Sequence, residues 1–268
     1  MIIDCFPFFN ELDILEIRLN TLNERVDKFI LVEANKTQSL LDKPFYFEEN
    51  KQRFSKFLEK IVHIKIEDCP TEGGWVMEHF QRNCILKGLQ KLDLNTNDIV
   101  AISDVDEIWN PSVIDNITEN INNLVNPISI GMKYLVFYLN LETENKKWIG
   151  TVFCSYANLL NKSPQGLRDS KDYLPKYLDC GWHFGYQGGA DKIYEKYLSC
   201  IEPIDKSLLP TKEVFIEQFN NRIKDGGSFI FSDNLSDESV KLKKIDIDEY
   251  FPEYIHQNQQ QYNHLILK

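Results

Sequence analysis

Apolar residues along the chain fall into short runs, separated by stretches where they recur every three or four positions. Met1 to Phe9 is apolar and aromatic and reads as a first strand. Leu12, Leu15, Leu19, Leu22 and Val26 then recur at helical spacing and make one buried stripe, with Arg18 placed off it. Asn10 stands where a helix cap is needed, and Asp13 stands near the positive helix end. Phe29 to Val32 is a second buried strand, ending in the polar Glu33-Ala-Asn35. Strand, helix, strand is the repeating unit of a parallel sheet. Ile61 to Ile66 reads as a third strand, and Cys69 to Trp75, with its Pro and Gly residues, as a loop. A helix follows with Met77, Phe80, Cys84, Leu89 and Leu92 near one face, and with Arg82 and Asn83 elsewhere on it. Ile99 to Ile102 is a short apolar run of the kind buried on both faces in a parallel sheet. Asn110 and Pro111 restart a helix as cap and first residue, with Val113, Ile117, Ile121 and Leu124 as its stripe.

Beyond Pro127 the pattern changes. Ile128 to Leu141 and Trp148 to Leu160 are aromatic-rich segments with β propensity, read as an antiparallel pair added to the sheet. Asn161 to Asp179 is polar and carries Arg168, and Gly181 to Gly189 reads as a loop dense in Gly and aromatics. Helices are expected over Asp191 to Cys200, Glu213 to Lys224 and Pro252 to Leu265. The fold class expected is α/β: a central, mostly parallel sheet with an antiparallel addition, flanked by helices, in one domain over 1–268.

Composition narrows the functions open to such a domain. Hydrophobic residues make up 43% of 268, enough for a full core. The formal net charge of −11 argues against a nucleic-acid groove or an anionic membrane surface. The 6 cysteines, at 5, 69, 84, 154, 180 and 200, show no paired spacing and read as reduced thiols. Neither a signal peptide nor a membrane-spanning run is visible, so the expected location is cytoplasmic.

The chemistry concentrates at Asp104-Val-Asp106-Glu107, directly after the apolar run ending at Ile102 and Ser103. Ligands of open α/β sheets bind beyond the carboxyl ends of strands. Carboxylates packed this closely repel one another unless a cation or donors sit among them. Asp104 and Asp106 alternate by two, so in an extended segment both point the same way and can share one divalent ion. A solvated acidic turn is the competing reading. A calcium-binding EF-hand loop is excluded, because its glycine and glutamate positions hold Trp109 and Asp115.

Four stretches taken in order carry a resemblance: Asn10-Glu-Leu-Asp-Ile-Leu-Glu-Ile-Arg18, Val32-Glu-Ala-Asn35, Ser103-Asp-Val-Asp-Glu-Ile108 and Gly181-Trp-His-Phe184. Together they resemble glycosyltransferase family 17, the β-1,4-mannosyl-glycoprotein N-acetylglucosaminyltransferases. The likeness runs from about Ile3 to the last helix, with Trp109 where the family usually has Pro. It implies a GT-A-like fold, with 1–127 as the nucleotide-binding half and 128–268 as the acceptor-side half. It also implies a UDP-sugar donor, UDP-N-acetylglucosamine in the animal members, a glycan acceptor, a divalent cation (Mn²⁺ or Mg²⁺), and inversion at the sugar carbon.

On that reading Asp104, Asp106 and His183 are the expected metal ligands, His183 being alternatively a packed histidine. Phe8, Asn10, Glu11, Glu33, Asn35, Arg82, Asp104 and Arg168 are the expected donor-binding residues. Asn10, Glu11 and Arg18 are alternatively structural, fixing the first strand-to-helix turn. Trp148, Trp182 and Tyr186 are expected to stack on the acceptor, with core packing as the bland alternative. Glu107 and Asp191 are the candidate bases. Two other functions remain open: a sugar nucleotidyltransferase, and an inactive carbohydrate-binding protein of the same fold. Against the first, Phe6 to Asn10 supplies no Gly or basic residue where an activating loop is needed.

Overall fold

In the computed structural model, the residues described are 1–124, 127–199, 210–226 and 241–268. The chain forms an α/β fold around one mixed sheet. Its first half follows the expected alternation. β1 (Ile2–Phe8), α1 (Leu12–Leu22) and β2 (Lys28–Ala34) come first. The short α2 (Tyr46–Glu49), β3 (Ile61–Ile66), α3 (Trp75–Asn83) and α4 (Ile85–Leu89) follow. β4 (Ile99–Ile102) is wholly buried. β2 and β4 flank β1 in parallel and β3 lies outside β2, so four parallel strands run β3-β2-β1-β4. Apolar residues pack on both faces of these strands, with Phe6, Phe29 and Leu31 on one side and Cys5, Ile30 and Val32 on the other. Parallel strands covered on both faces read as continuous apolar runs, which is why the pattern marks them clearly.

After β4 come β5 (Glu107–Trp109) and α5 (Ile114–Leu124). The Asn110 side chain accepts from the Ser112 amide at 3.0 Å, the expected cap. β6 (Ile128–Val136) and β7 (Leu141–Ser155) then pair antiparallel, with two irregularities in register. α6 (Tyr156–Leu160), α7 (Pro164–Asp169), β8 (Lys176–Tyr177) and β9 (Gly181–Gly185) follow. Last are α8 (Gly189–Ser199), α9 (Lys212–Lys224), β10 (Leu242–Lys244) and α10 (Glu253–Gln257). The full strand order is β3-β2-β1-β4-β7-β6-β9-β5, with β10 on β7 and β8 on β6.

Several expectations are corrected. Gly181 to Gly185 is a buried strand, not a loop; a Cβ on Gly181 would stand 2.5 Å from the Ile108 carbonyl, so glycine there lets β9 lie against β5. The helix expected over Pro252 to Leu265 stops at Gln257. The helix after Trp75 breaks at Cys84. Arg18 is fully buried: it lies three residues after Leu15 and four before Leu22, on the apolar stripe itself. Cys200 lies outside the described residues.

Candidate active site at the end of the central strand

The acidic turn after β4 is built on a buried ion pair. Asp4, in the middle of β1, and Arg18, on α1, are both fully buried. Arg18 grips Asp4 with Nε and Nη2, each at 2.7 Å. Its Nη1 donates to the carbonyls of Asp104, Val105 and Glu107 at 3.0, 3.2 and 2.7 Å, and Nη2 also reaches Ser103 Oγ at 2.6 Å. Trp109 Nε1 donates to Asp4 at 3.2 Å, and the Phe6 ring lies 4.4 Å from the guanidinium. A charge in a dry core persists only when paired and hydrogen-bonded. Here the Nη1 bonds, and the Nη2 bond to Ser103, tie the buried pair to the turn and fix its path. Pairing of β5 with β9, which sets Glu107 opposite His183, holds its far end.

Asp104 stands between two arginines. Arg82 Nη2 donates to Oδ1 at 2.8 Å and Arg168 Nη2 to Oδ2 at 2.7 Å. Burial alone would raise its pKa, but Arg168 and Arg82 outweigh burial and hold the carboxyl well below the usual range. Arg82 also takes Glu78 at 2.7 Å and donates to Gln165. Arg168 binds Glu107 through both Nη groups. Glu107 is fully buried and also accepts from Trp148 Nε1.

Asp106 has different neighbours. Its Oδ1 is 3.5 Å from His183 Nε2 and its Oδ2 is 3.6 Å from Lys196 Nζ. Burial raises the Asp106 pKa, and His183 and Lys196 more than reverse this. His183 is stacked on Tyr134, with ring centroids 4.7 Å apart, and lies 4.3 Å from Trp148. Its Nδ1 is buried without a hydrogen-bond partner among the described residues.

A cavity of about 520 Å³ opens over this turn. Phe8, Phe9 and Glu11 line it from the end of β1, and Thr37, Gln38 and Lys43 from the segment after β2. Trp75, Glu78 and Arg82 line it from α3, and Arg168, Asp169 and Lys171 from α7 and just beyond. His183, Tyr186 and Lys196 close the remaining side. In a chain of net charge −11, Lys43, Arg82, Arg168, Lys171 and Lys196 are gathered here, beside the carboxylates of Glu11, Glu78, Asp104, Asp106 and Asp169.

The structure brings Phe8, Glu11, Arg82, Asp104, Asp106, Trp148, Arg168, His183 and Tyr186 to this cavity. Others fall elsewhere. Glu33 is fully buried and accepts from the Phe47 amide and His63, both at 3.0 Å, so it braces a loop. Asn35 accepts from Cys69 Sγ, and Asn10 Nδ2 reaches Glu195 at 3.3 Å. Trp182 is core, its Nε1 bound to the Tyr250 carbonyl. Trp148 lines the cavity with its ring packed between other groups rather than presented flat. Asp191 lies outside the cavity on α8, paired with Lys212 at 2.8 Å. Neither Asp191, for its place, nor Glu107, for its saturated oxygens, is positioned as a base.

The three-ligand metal expectation also changes. Asp104 has each of its oxygens held by an arginine, which sets it apart from Asp106 and His183. Among the described residues no group of three His, Cys, Asp or Glu side chains could hold a metal ion. The pair that could hold a small divalent cation is one Asp106 carboxylate oxygen and the His183 Nε2, 3.5 Å apart.

Sequence reasoning missed Asp4, whose signal was a lone carboxylate inside an apolar strand. It also missed Lys43, Lys171 and Lys196, which nothing in the sequence distinguishes from surface lysines.

The chain is 27% identical over 114 residues to the β-1,4-mannosyl-glycoprotein 4-β-N-acetylglucosaminyltransferases of Rattus norvegicus and Homo sapiens. The match covers 40% of this chain and only 21% of those enzymes. Among solved structures, a Bacillus anthracis protein titled for glucose-1-phosphate thymidylyltransferase activity aligns with a TM-score of 0.41 and 9% identity, over 68% of this chain and 87% of that one. No described helix is long and apolar enough to cross a membrane. The family model for glycosyltransferase family 17 matches residues 1–188, and the chain belongs to that family.

Proposed function

We propose that the cavity binds a nucleoside-diphosphate sugar on a GT-A-like scaffold and passes the sugar, with inversion, to a hydroxyl of a glycan. UDP-N-acetylglucosamine is the donor that the family and the names of the relatives favour. The observation that carries this reading is the Asp104–Asp106 turn at the end of β4, fixed from below by Arg18 and opening into a cavity rich in lysine and arginine.

The residues act as follows. Phe8, Glu11 and the segment after β2 form the wall for the nucleoside. Asp104, fixed by Arg82 and Arg168, keeps lone pairs toward the donor's ribose hydroxyls, since each carboxylate oxygen accepts more than one hydrogen bond. Asp106 and His183 would hold a divalent cation, which when bound offsets charge developing on the leaving diphosphate. Lys196, beside Asp106, adds a fixed positive charge at the same place. For the acceptor proton we propose Asp169. It lines the cavity, is exposed, and accepts through Oδ1 from Gln165 at 2.7 Å.

The test is nucleoside diphosphate release from a panel of nucleotide sugars, with Mn²⁺ and with chelator. Release of UDP from a UDP-sugar supports the reading. Pyrophosphate-dependent formation of UTP instead identifies a nucleotidyltransferase, and binding without turnover identifies a carbohydrate-binding protein.

A further inference from the structure

Lys171 follows α7 and is half-buried against the cavity. Its Nζ donates to the Ile149 carbonyl at 2.8 Å and lies 4.4 Å from the centre of the Trp148 ring. Among the described residues no carboxylate oxygen comes within 4.0 Å of it. An ammonium has three N–H donors. One is used on Ile149, and an aromatic face accepts charge but is a poor substitute for a hydrogen-bond acceptor. Burial and the neighbouring Arg168 pull the Lys171 pKa down, and the more distant charges of Glu107, Asp172 and Asp104 offset this only in part. The desolvation of this lysine is thus only partly compensated within the chain. An anionic oxygen entering the cavity would complete it.

Strand order says which half of the cavity this is. β1 and β2 lie on one side of β4, and β7, which carries Trp148 and Ile149, lies on the other. The Asp104–Asp106 turn stands between them. Lys171 therefore faces the wall opposite the proposed nucleoside site, beside Asp169, the proposed base.

We propose that Lys171 is an anion-binding point in the acceptor half of the cavity, so that the acceptor is an acidic saccharide whose carboxylate or phosphate oxygen meets the Lys171 ammonium. This rests on the glycosyltransferase reading of the site and adds the class of acceptor. Trp148 links the new point to the reacting centre, because the same indole contacts His183 and donates to Glu107.

The test uses the full chain, with UDP and Mn²⁺, on an array of oligosaccharides in matched pairs. Each acidic glycan is paired with its carboxyl-reduced or dephosphorylated neutral form. The wild type should prefer the acidic member at least tenfold; Lys171→Met should erase that preference and Lys171→Arg should keep it. UDP affinity, measured separately by calorimetry, should stay within twofold in Lys171→Met. Preference for neutral members, no retained glycan at all, or an acidic preference unchanged in Lys171→Met overturns the proposal. So does a loss confined to UDP affinity, which would move Lys171 to the donor's diphosphate. If the methionine variant misfolds by near-ultraviolet circular dichroism, the wild-type pairs and Lys171→Arg still decide the matter. Wild-type UDP binding tests the glycosyltransferase reading independently.

Discussion

Replacing Arg18 by Met should be among the most damaging single changes in this protein, for reasons that can be worked through atom by atom. The change keeps an unbranched side chain in the apolar stripe of α1 and removes only the guanidinium. Asp4 then stays fully buried with Trp109 Nε1 as its remaining side-chain donor among the described residues. Three carbonyls of the acidic turn and Ser103 Oγ also lose their donor. Breaking a buried pair by removing one partner costs roughly 3–5 kcal/mol, a large share of the ~5–15 kcal/mol that a whole domain has. Removing both charges should be much less harmful, because the penalty is the stranded carboxylate and not the loss of attraction. Arg18→Met with Asp4→Asn should therefore recover at least about 1.5 kcal/mol of the loss, near half of the low end of that range. The assay is urea unfolding of wild type, both single variants and the double variant, monitored by far-ultraviolet circular dichroism. UDP binding should remain weak in the double variant even where stability returns, because the turn carbonyls still lack their clamp. The reasoning fails if Arg18→Met costs less than about 1 kcal/mol, or if the double variant is no more stable than Arg18→Met alone.

Three further outcomes are expected, two at the site and one in the core. Asp106→Asn and His183→Ala should each reduce Mn²⁺-dependent UDP affinity at least tenfold by calorimetry, while Asp104→Asn lowers affinity without abolishing its Mn²⁺ dependence; equal loss of metal dependence in all three would restore a three-ligand site. Asp104 and Asp106 are held below the ordinary Asp pKa of about 3.9, so the unfolded chain binds more protons than the folded one in acid. Their stabilisation is complete above that ordinary value and is lost as pH falls through the lowered folded values. Urea midpoints of Asp104→Asn should accordingly fall less steeply than wild type below about pH 5. Burial raises the Cys5 pKa and pushes that of Cys154 up to about 12, so these two thiols should resist a thiol reagent in the folded protein; the unfolded chain should titrate as 6 free thiols without reductant.

The sequence by itself determined the first half of the sheet. Ile2 to Phe8, Phe29 to Val32 and Ile99 to Ile102 are buried on both faces, and such strands show as uninterrupted apolar runs whatever they pack against. It also located the chemistry, because an abrupt acidic cluster after such a strand is a local feature. The Arg18 pairing was within reach: a carboxylate in an apolar strand and an arginine on an apolar helical stripe each require a buried partner. Tertiary structure decided the rest, since it depends on which distant groups meet. Asp104 and Asp106 are two residues apart, and their spacing suggests one shared ion. Only the fold brings Arg82 and Arg168 to one and His183 and Lys196 to the other. Glu107 and Trp148 looked available in the sequence and became packing and hydrogen-bonding partners once β7 and β9 closed around them. Gly181 to Gly185 read as a loop because glycine marks both turns and close approaches, and only the neighbouring strand tells which. Lysines carry no local signal at all. Lys171 and Lys196 differ from the surface lysines of the same chain only in what the fold sets beside them.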